Sequence, residues 1–175
     1  MNDIKIFSIG KIVNNDETVC IKLDRKYSAG LRGLNGYSHV QVLWWADKCD
    51  NVSDRSTLTE KKPDKKGPEE IGVFATRSPE RPNPVAVSNV SIASVDFSGG
   101  TVGLYYIDAF DGTEVIDIKP YVPSIDRIEE PDVPDWCSHW PKSYEESGDF
   151  DWEAEFNFLG GTHGACRLYT QQAGY

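Results

Sequence analysis

The sequence predicts an all-β fold, a barrel or a sandwich. Apolar residues recur in short, closely spaced runs, and the runs are joined by tight turns such as Ser98-Gly99-Gly100 and Asp111-Gly112. The Gly-punctuated stretch 27–36 has room for one helical turn at most. No internal repeat divides the chain.

The elements follow in order. Ile4 to Ile9 and Thr18 to Leu23 read as a first pair of strands joined through Asn14-Asn15-Asp16. Tyr37 to Trp45 reads as a third, and its apolar end, Val42-Leu43-Trp44-Trp45, predicts burial on both faces, in a core or an interface. Residues 47–70 read as a polar loop holding the basic run Lys61-Lys62-Pro63-Asp64-Lys65-Lys66, a solvated loop or a phosphate-contacting arm. Ile71 to Thr76 is a short strand entering a Pro-rich stretch. The apolar parity changes between Val85/Val87 and Val90/Ile92, which predicts a bulge near Ser88-Asn89. Thr101 to Ile107 and Thr113 to Tyr121 complete the strands.

From Ile128 the pattern dissolves. Trp136, Trp140 and Trp152 are spaced through polar sequence, as expected of an appendage (131–175) that buries them on the barrel (1–130) or on a partner subunit. The chain of 175 residues has a formal net charge of -10, and residues 131–175 hold eight acidic residues against two basic ones. Nucleic-acid binders need a basic face, so any such face is local. No run approaches the ~20 apolar residues of a membrane span, and the N-terminus lacks the pattern of a secretory signal. A cytoplasmic location is expected. Cys20, Cys49, Cys137 and Cys166 contain no C-x-x-C pair and read as reduced thiols. Cys137, His139, His163 and Cys166 are the one set with zinc-like donors, but the spacing is tight and no metal is expected.

Two segments carry chemistry. In Gly72-Val73-Phe74-Ala75-Thr76-Arg77-Ser78-Pro79-Glu80-Arg81-Pro82-Asn83-Pro84, three prolines in six residues stiffen the backbone and present Arg77, Arg81 and Asn83 on a rigid rim. In Asp111-Gly112-Thr113-Glu114-Val115-Ile116-Asp117-Ile118-Lys119-Pro120-Tyr121, strand alternation puts Ile116 and Ile118 on one face. Asp117, Lys119 and Tyr121 fall on the other, where they line a polar site.

These segments resemble the signatures of the TsaA-like family, whose characterised members are tRNA threonylcarbamoyladenosine N6-methyltransferases. The resemblance covers residues 4–127 and takes in Ile9-Gly10, Gly33-Leu34 and Tyr37-Ser38-His39-Val40. It implies a single closed or nearly closed β-barrel with short helical turns and an irregular C-terminal appendage. It further implies a homodimer that binds S-adenosylmethionine and methylates tRNA. Carried over residue by residue, Arg77, Val87, Gly112, Thr113, Glu114 and Val115 would contact the cofactor. Asp47 and Lys48 stand where the family has a His-Gln pair, and the short turn Asn14-Asn15-Asp16-Glu17 replaces a longer family segment. The chemistry nominates Asp117 to stabilise a sulfonium or accept a proton. It nominates Arg81 and Lys119, with Asn83 and Tyr121, to hold the acceptor. A small-molecule acceptor and a non-catalytic binder of the same cofactor are the competing readings.

Overall fold

The structure is a computed structural model that describes residues 4–157. Six strands close an antiparallel barrel in the order β1-β2-β7-β6-β3-β8, with β4 and β5 forming a separate two-stranded sheet. The strands are β1 (Gly10–Asn14), β2 (Val19–Leu23), β3 (His39–Trp45), β4 (Thr59–Lys61), β5 (Glu70–Gly72), β6 (Val85–Asp96), β7 (Thr101–Leu104) and β8 (Glu114–Pro120). The chain divides into two compact units. One combines residues 1–47 with 85–127 and contains the barrel; the other combines 48–84 with 128–175.

The barrel core follows from alternation. On β3, Val40, Val42 and Trp44 are buried while Gln41, Leu43 and Trp45 are only partly covered. Burial of both faces in the chain's own core is therefore corrected: within the barrel this is an alternating strand. Ile12, Ile21, Val90, Val102 and Val115 fill the same interior, each fully buried large side chain contributing about 1.5–3 kcal/mol relative to exposure.

Other expectations also move. Ile4 to Ile9 is not a strand, and the first strand begins at Gly10. A Cβ on Gly10 would lie 2.3 Å from the Lys22 carbonyl oxygen, so β1 and β2 close only around glycine there. No bulge interrupts Ser88-Asn89, because β6 runs in regular register against β3 from Val85 to Ser91. The irregularity lies between Ile92 and Ser94, against β7. Ala86 and Ser88 are the inward residues opposite Trp44 and Val42, and Ser88 accepts the Trp44 indole N–H at 2.9 Å. The 47–70 loop holds more structure than expected: a 3-10 turn at Asp47–Cys49, a helical turn at Val52–Arg55 capped by Asn51, and β4. Ile71 to Thr76 is β5 followed at once by a 3-10 turn over Val73–Ala75.

The second unit has its own small core. Trp140 packs edge-on against Trp136 and Trp152, each at 5.4 Å between ring centroids, and Trp152 stacks on Phe156 at 5.6 Å. Cys20, Cys49 and Cys137 are buried and in no disulfide, and burial raises the Cys20 and Cys137 thiols above their ordinary range. Cys166 and His163 lie outside the described residues. Within these, no cluster of His, Cys, Asp or Glu suits a metal ion, and no helix is long and apolar enough to cross a membrane.

Candidate functional site

In the barrel unit the site is built on β8 and the turn before it. Asn14 anchors that turn: its backbone N–H donates to Asp111 Oδ1 at 3.0 Å, and its amide donates to the Ala109 and Ile107 carbonyls at 2.8 and 3.2 Å. The backbone closes the fixation, with Gly112 N–H donating to Ile12 and Ile12 N–H donating to Thr113. Gly112 sits at φ +80°, a left-handed conformation that favours glycine. The next residue, Thr113, is 2% exposed, and its hydroxyl is enclosed with no hydrogen bond among the described residues. Buried hydroxyls are ordinarily satisfied. This one is what a ligand-binding turn would hold in readiness.

Glu114 follows with a charge environment of its own. Its carboxylate accepts from the Ser8 hydroxyl and from Lys11 at 3.0 Å. The Ser8 hydrogen bond holds Glu114 below the usual carboxylate range, while burial opposes and Lys11 assists; the Glu114 hydrogen bond in turn raises Lys11. Val115 is fully buried against Trp44, so it offers only its backbone. The expected sharing of one face by Ile116 and Ile118 is broken by a register shift. Leu43 pairs with Asp117 and Trp44 with Val115, leaving Ile116 at the irregularity.

Beyond the shift, Asp117 and Lys119 lie on the outer face. They pair across β3 with Leu43 and Gln41, which in turn face Val87 and Asn89 of β6. Val87 is 39% exposed. The result is an outer-face row of Val87, Leu43 and Asp117 beside a second of Asn89, Gln41 and Lys119. Lys119 donates to Asp117 at 2.6 Å, and that hydrogen bond raises the Lys119 pKa. Lys119 therefore stays cationic and suits electrostatic stabilisation rather than proton removal. Tyr121 lies just past the strand, its N–H donating to the His39 carbonyl and its ring edge-on to His39 at 6.4 Å. Asp47 is exposed at the start of its 3-10 turn.

In the other unit, the Pro-rich rim is braced from within. Arg81 donates through Nε to Ser78 O and through Nη2 to Val73 O and Thr76 O at 2.5, 2.9 and 2.7 Å. Burial lowers its pKa. Arg81 thus holds the loop's shape. Arg77, Asn83 and Lys48 are exposed. Arg55, which the motifs did not single out, donates to the Pro82 carbonyl at 3.0 Å and pairs with Asp50 at 2.9 Å. Asn14, Ser8, Lys11 and Arg55 were missed because they act on the motifs from distant sequence. Only Asn14 stood out at all, as a turn residue.

The residues thus build a six-stranded antiparallel barrel with a Gly-Thr turn feeding an acidic–basic outer row. Residues 9–127 match the family described as the tRNA-methyltransferase O N-terminal domain, and the chain belongs to that family. Among similar proteins, an S-adenosyl-L-methionine-binding protein of Archaeoglobus fulgidus is 39% identical over 105 residues, 60% of this chain and 70% of that protein. A tRNA (adenine(37)-N6)-methyltransferase of Mus musculus is 36% identical over 96 residues, 55% of this chain and 21% of that protein. A crystal structure of TrmO superposes with a TM-score of 0.59 at 26% identity, covering 75% of this chain and 64% of that one. The chain thus spans less than two thirds of that solved relative and about a fifth of the mouse enzyme.

Proposed function

We propose that the protein is an S-adenosylmethionine-dependent methyltransferase whose acceptor is threonylcarbamoyl-adenosine in tRNA, acting as a cytoplasmic homodimer. The observation that carries this reading is the enclosed, unsatisfied hydroxyl of Thr113 in a turn that Gly112 fixes at positive φ. Family membership and the relatives named for this cofactor support it.

The residues present suit the cofactor. Within the turn from Gly112 to Val115 the Thr113 hydroxyl offers a hydrogen bond to its polar atoms, Val87 offers apolar contact, and Arg77 suits its carboxylate. When bound, the cofactor supplies an electrophilic methyl on a cationic sulfonium. Asp117 is the anion assigned to that charge or to the departing acceptor proton, with Lys119 keeping Asp117 oriented. Arg81 positions Arg77 and Asn83 by bracing their loop. Asn83 and Tyr121 are assigned to acceptor binding, and Asp47 and Lys48 to the cofactor. For such a transfer, in-line placement of donor and acceptor contributes most of the rate.

An Arg–carboxylate contact is worth about 1.5–3 kcal/mol. Arg77→Ala is therefore expected to weaken S-adenosylmethionine binding by about ten- to a hundred-fold in calorimetry. Absence of heat with the wild type, or unchanged affinity in a folded variant, rejects the assignment. Mass spectrometry of tRNA nucleosides after gene deletion tests the acceptor. Unchanged modification in the deletion strain redirects the reading to a small-molecule acceptor, which the net charge of -10 favours.

A further inference from the structure

The basic run Lys61 to Lys66 is held against the chain's own acidic segment. Lys65 N–H donates to the Glu155 carbonyl at 2.8 Å, and Asn157 N–H donates to the Pro63 carbonyl at 2.7 Å. The Asn157 side-chain amide donates to the Lys62 carbonyl at 3.0 Å, and Asp64 bridges Phe156. The ammonium groups follow the backbone. Lys65 Nζ donates to the Glu153 carbonyl at 2.9 Å, Lys66 Nζ contacts Glu155 Oε1 at 3.2 Å, and Lys62 Nζ pairs with Glu69 at 2.6 Å. Glu155 is the hub: its second oxygen also meets His139 Nε2 at 2.8 Å and the Trp140 indole N–H at 3.5 Å. Trp140, packed edge-on to Trp152, ties this carboxylate to the aromatic core.

The segment Asp151-Trp152-Glu153-Ala154-Glu155-Phe156-Asn157 thus holds three acids, of which Glu155 meets a run with four lysines in six residues. We propose that residues 151–157 are an internal competitor for the polyanion that the 61–66 loop binds, so that nucleic acid gains the loop's charge only by displacing the segment. The inference rests on the reading of tRNA as acceptor. Two facts make the contact displaceable. The one ion pair that joins the two segments, Lys66–Glu155, leaves the Lys66 side chain 58% exposed, and pairs that solvent reaches contribute little. A polyanion also gains from every phosphate neutralised, through counterion release.

The test uses the full chain and bulk tRNA in fluorescence-anisotropy titrations at three salt concentrations. Glu155→Gln keeps the side chain's shape and removes the charge that holds Lys66. It is expected to bind tRNA about three- to ten-fold tighter than the wild type at low salt, with a steeper salt dependence. Asn157→Ala, which removes the side-chain amide that donates to the Lys62 carbonyl without altering any charge, is expected to shift binding in the same direction. Adding Lys65→Ala and Lys66→Ala to Glu155→Gln should erase the gain. Tryptophan fluorescence checks the aromatic core in each variant. The proposal is overturned if both single variants bind as the wild type does while replacing all four lysines weakens binding; the loop would then be an unmasked nucleic-acid surface. Absence of salt-dependent binding by every form overturns the tRNA reading as well.

Discussion

At the scale of single residues, two buried polar groups have opposite meanings. Thr113 carries a hydroxyl with no hydrogen bond among the described residues. Such a group costs about 1–3 kcal/mol in a protein interior. Thr113→Val has nearly the same shape and removes that cost, so thermal stability without ligand should hold or rise. The same change should weaken S-adenosylmethionine binding about two- to ten-fold, the effect of one neutral hydrogen bond. A ligand-free loss of stability with unchanged affinity would refute the assigned role. Asp64, 6% exposed, is a charge problem instead: burial first, then Glu60 and Glu155, raise its carboxyl above the ordinary 3.8. Ionised Asp64 therefore destabilises the fold once pH rises above the unfolded value, and the cost is complete above the folded value. Asp64→Asn is expected to raise the melting midpoint by a few degrees at pH 7 and to give no gain below pH 3.8. Glu155 runs the other way. Burial pushes it up, but hydrogen bonds from His139, Lys66 and Trp140 hold it below 4.5, so its contribution is present above that value and is lost as pH falls through the folded one. Melting curves of Asp64→Asn across acidic pH isolate this second effect.

At the scale of elements, β1 and β2 are joined at their closest point by Gly10. A methyl group there would meet backbone atoms of Lys22 and Leu23 at 2.3 and 2.7 Å, and backbone cannot rotate away. Gly10→Ala is expected to destabilise the barrel by about 1–3 kcal/mol in urea unfolding. An unchanged midpoint would mean that the strands separate without cost. The same glycine explains why the first strand was misplaced. Ile4 to Ile9 has the better strand composition, but the close approach that selects Gly10–Asn14 depends on a partner strand. Strands β2, β3 and β8 were legible because apolar and β-branched residues are concentrated in them between turn signals, although the alternation of β3 and the shift at Ile116 were not. The false bulge on β6 arose because Val85 and Val87 face outward while small Ala86 and Ser88 face inward to admit Trp44. Alternation alone takes the apolar residue for the buried one. The two motifs stand out in the sequence residue by residue; the bracing of them by Asn14 and Arg55 does not. Arg81 reads as an acceptor ligand in sequence, and its three carbonyl partners add a bracing role that the sequence does not reveal.

At the scale of the whole molecule, the outer face of β6, β3 and β8 offers Val87, Leu43 and Trp45 around the Asp117–Lys119 pair. Trp44, by contrast, is 2% exposed inside the barrel and cannot form an intermolecular contact. The proposed twofold dimer is therefore expected to use the Leu43/Trp45/Val87 face, and Val87→Glu should shift it toward monomer in light scattering at micromolar concentration. A wild-type monomer mass rejects the dimer, and an unchanged dimer mass in the variant moves its contact elsewhere. Connectivity carries a different consequence. Both units are discontinuous in sequence, and the Lys66–Glu155 contact spans 89 positions. During synthesis the barrel strands are all available once Pro120 has emerged, but the lysine run waits for residues 153–157. At about 5–20 residues per second, that interval lasts roughly 2–7 s. Each nascent chain thus passes through a stage in which its most basic loop has been translated and its acidic counterpart has not, with ribosomal RNA the nearest polyanion.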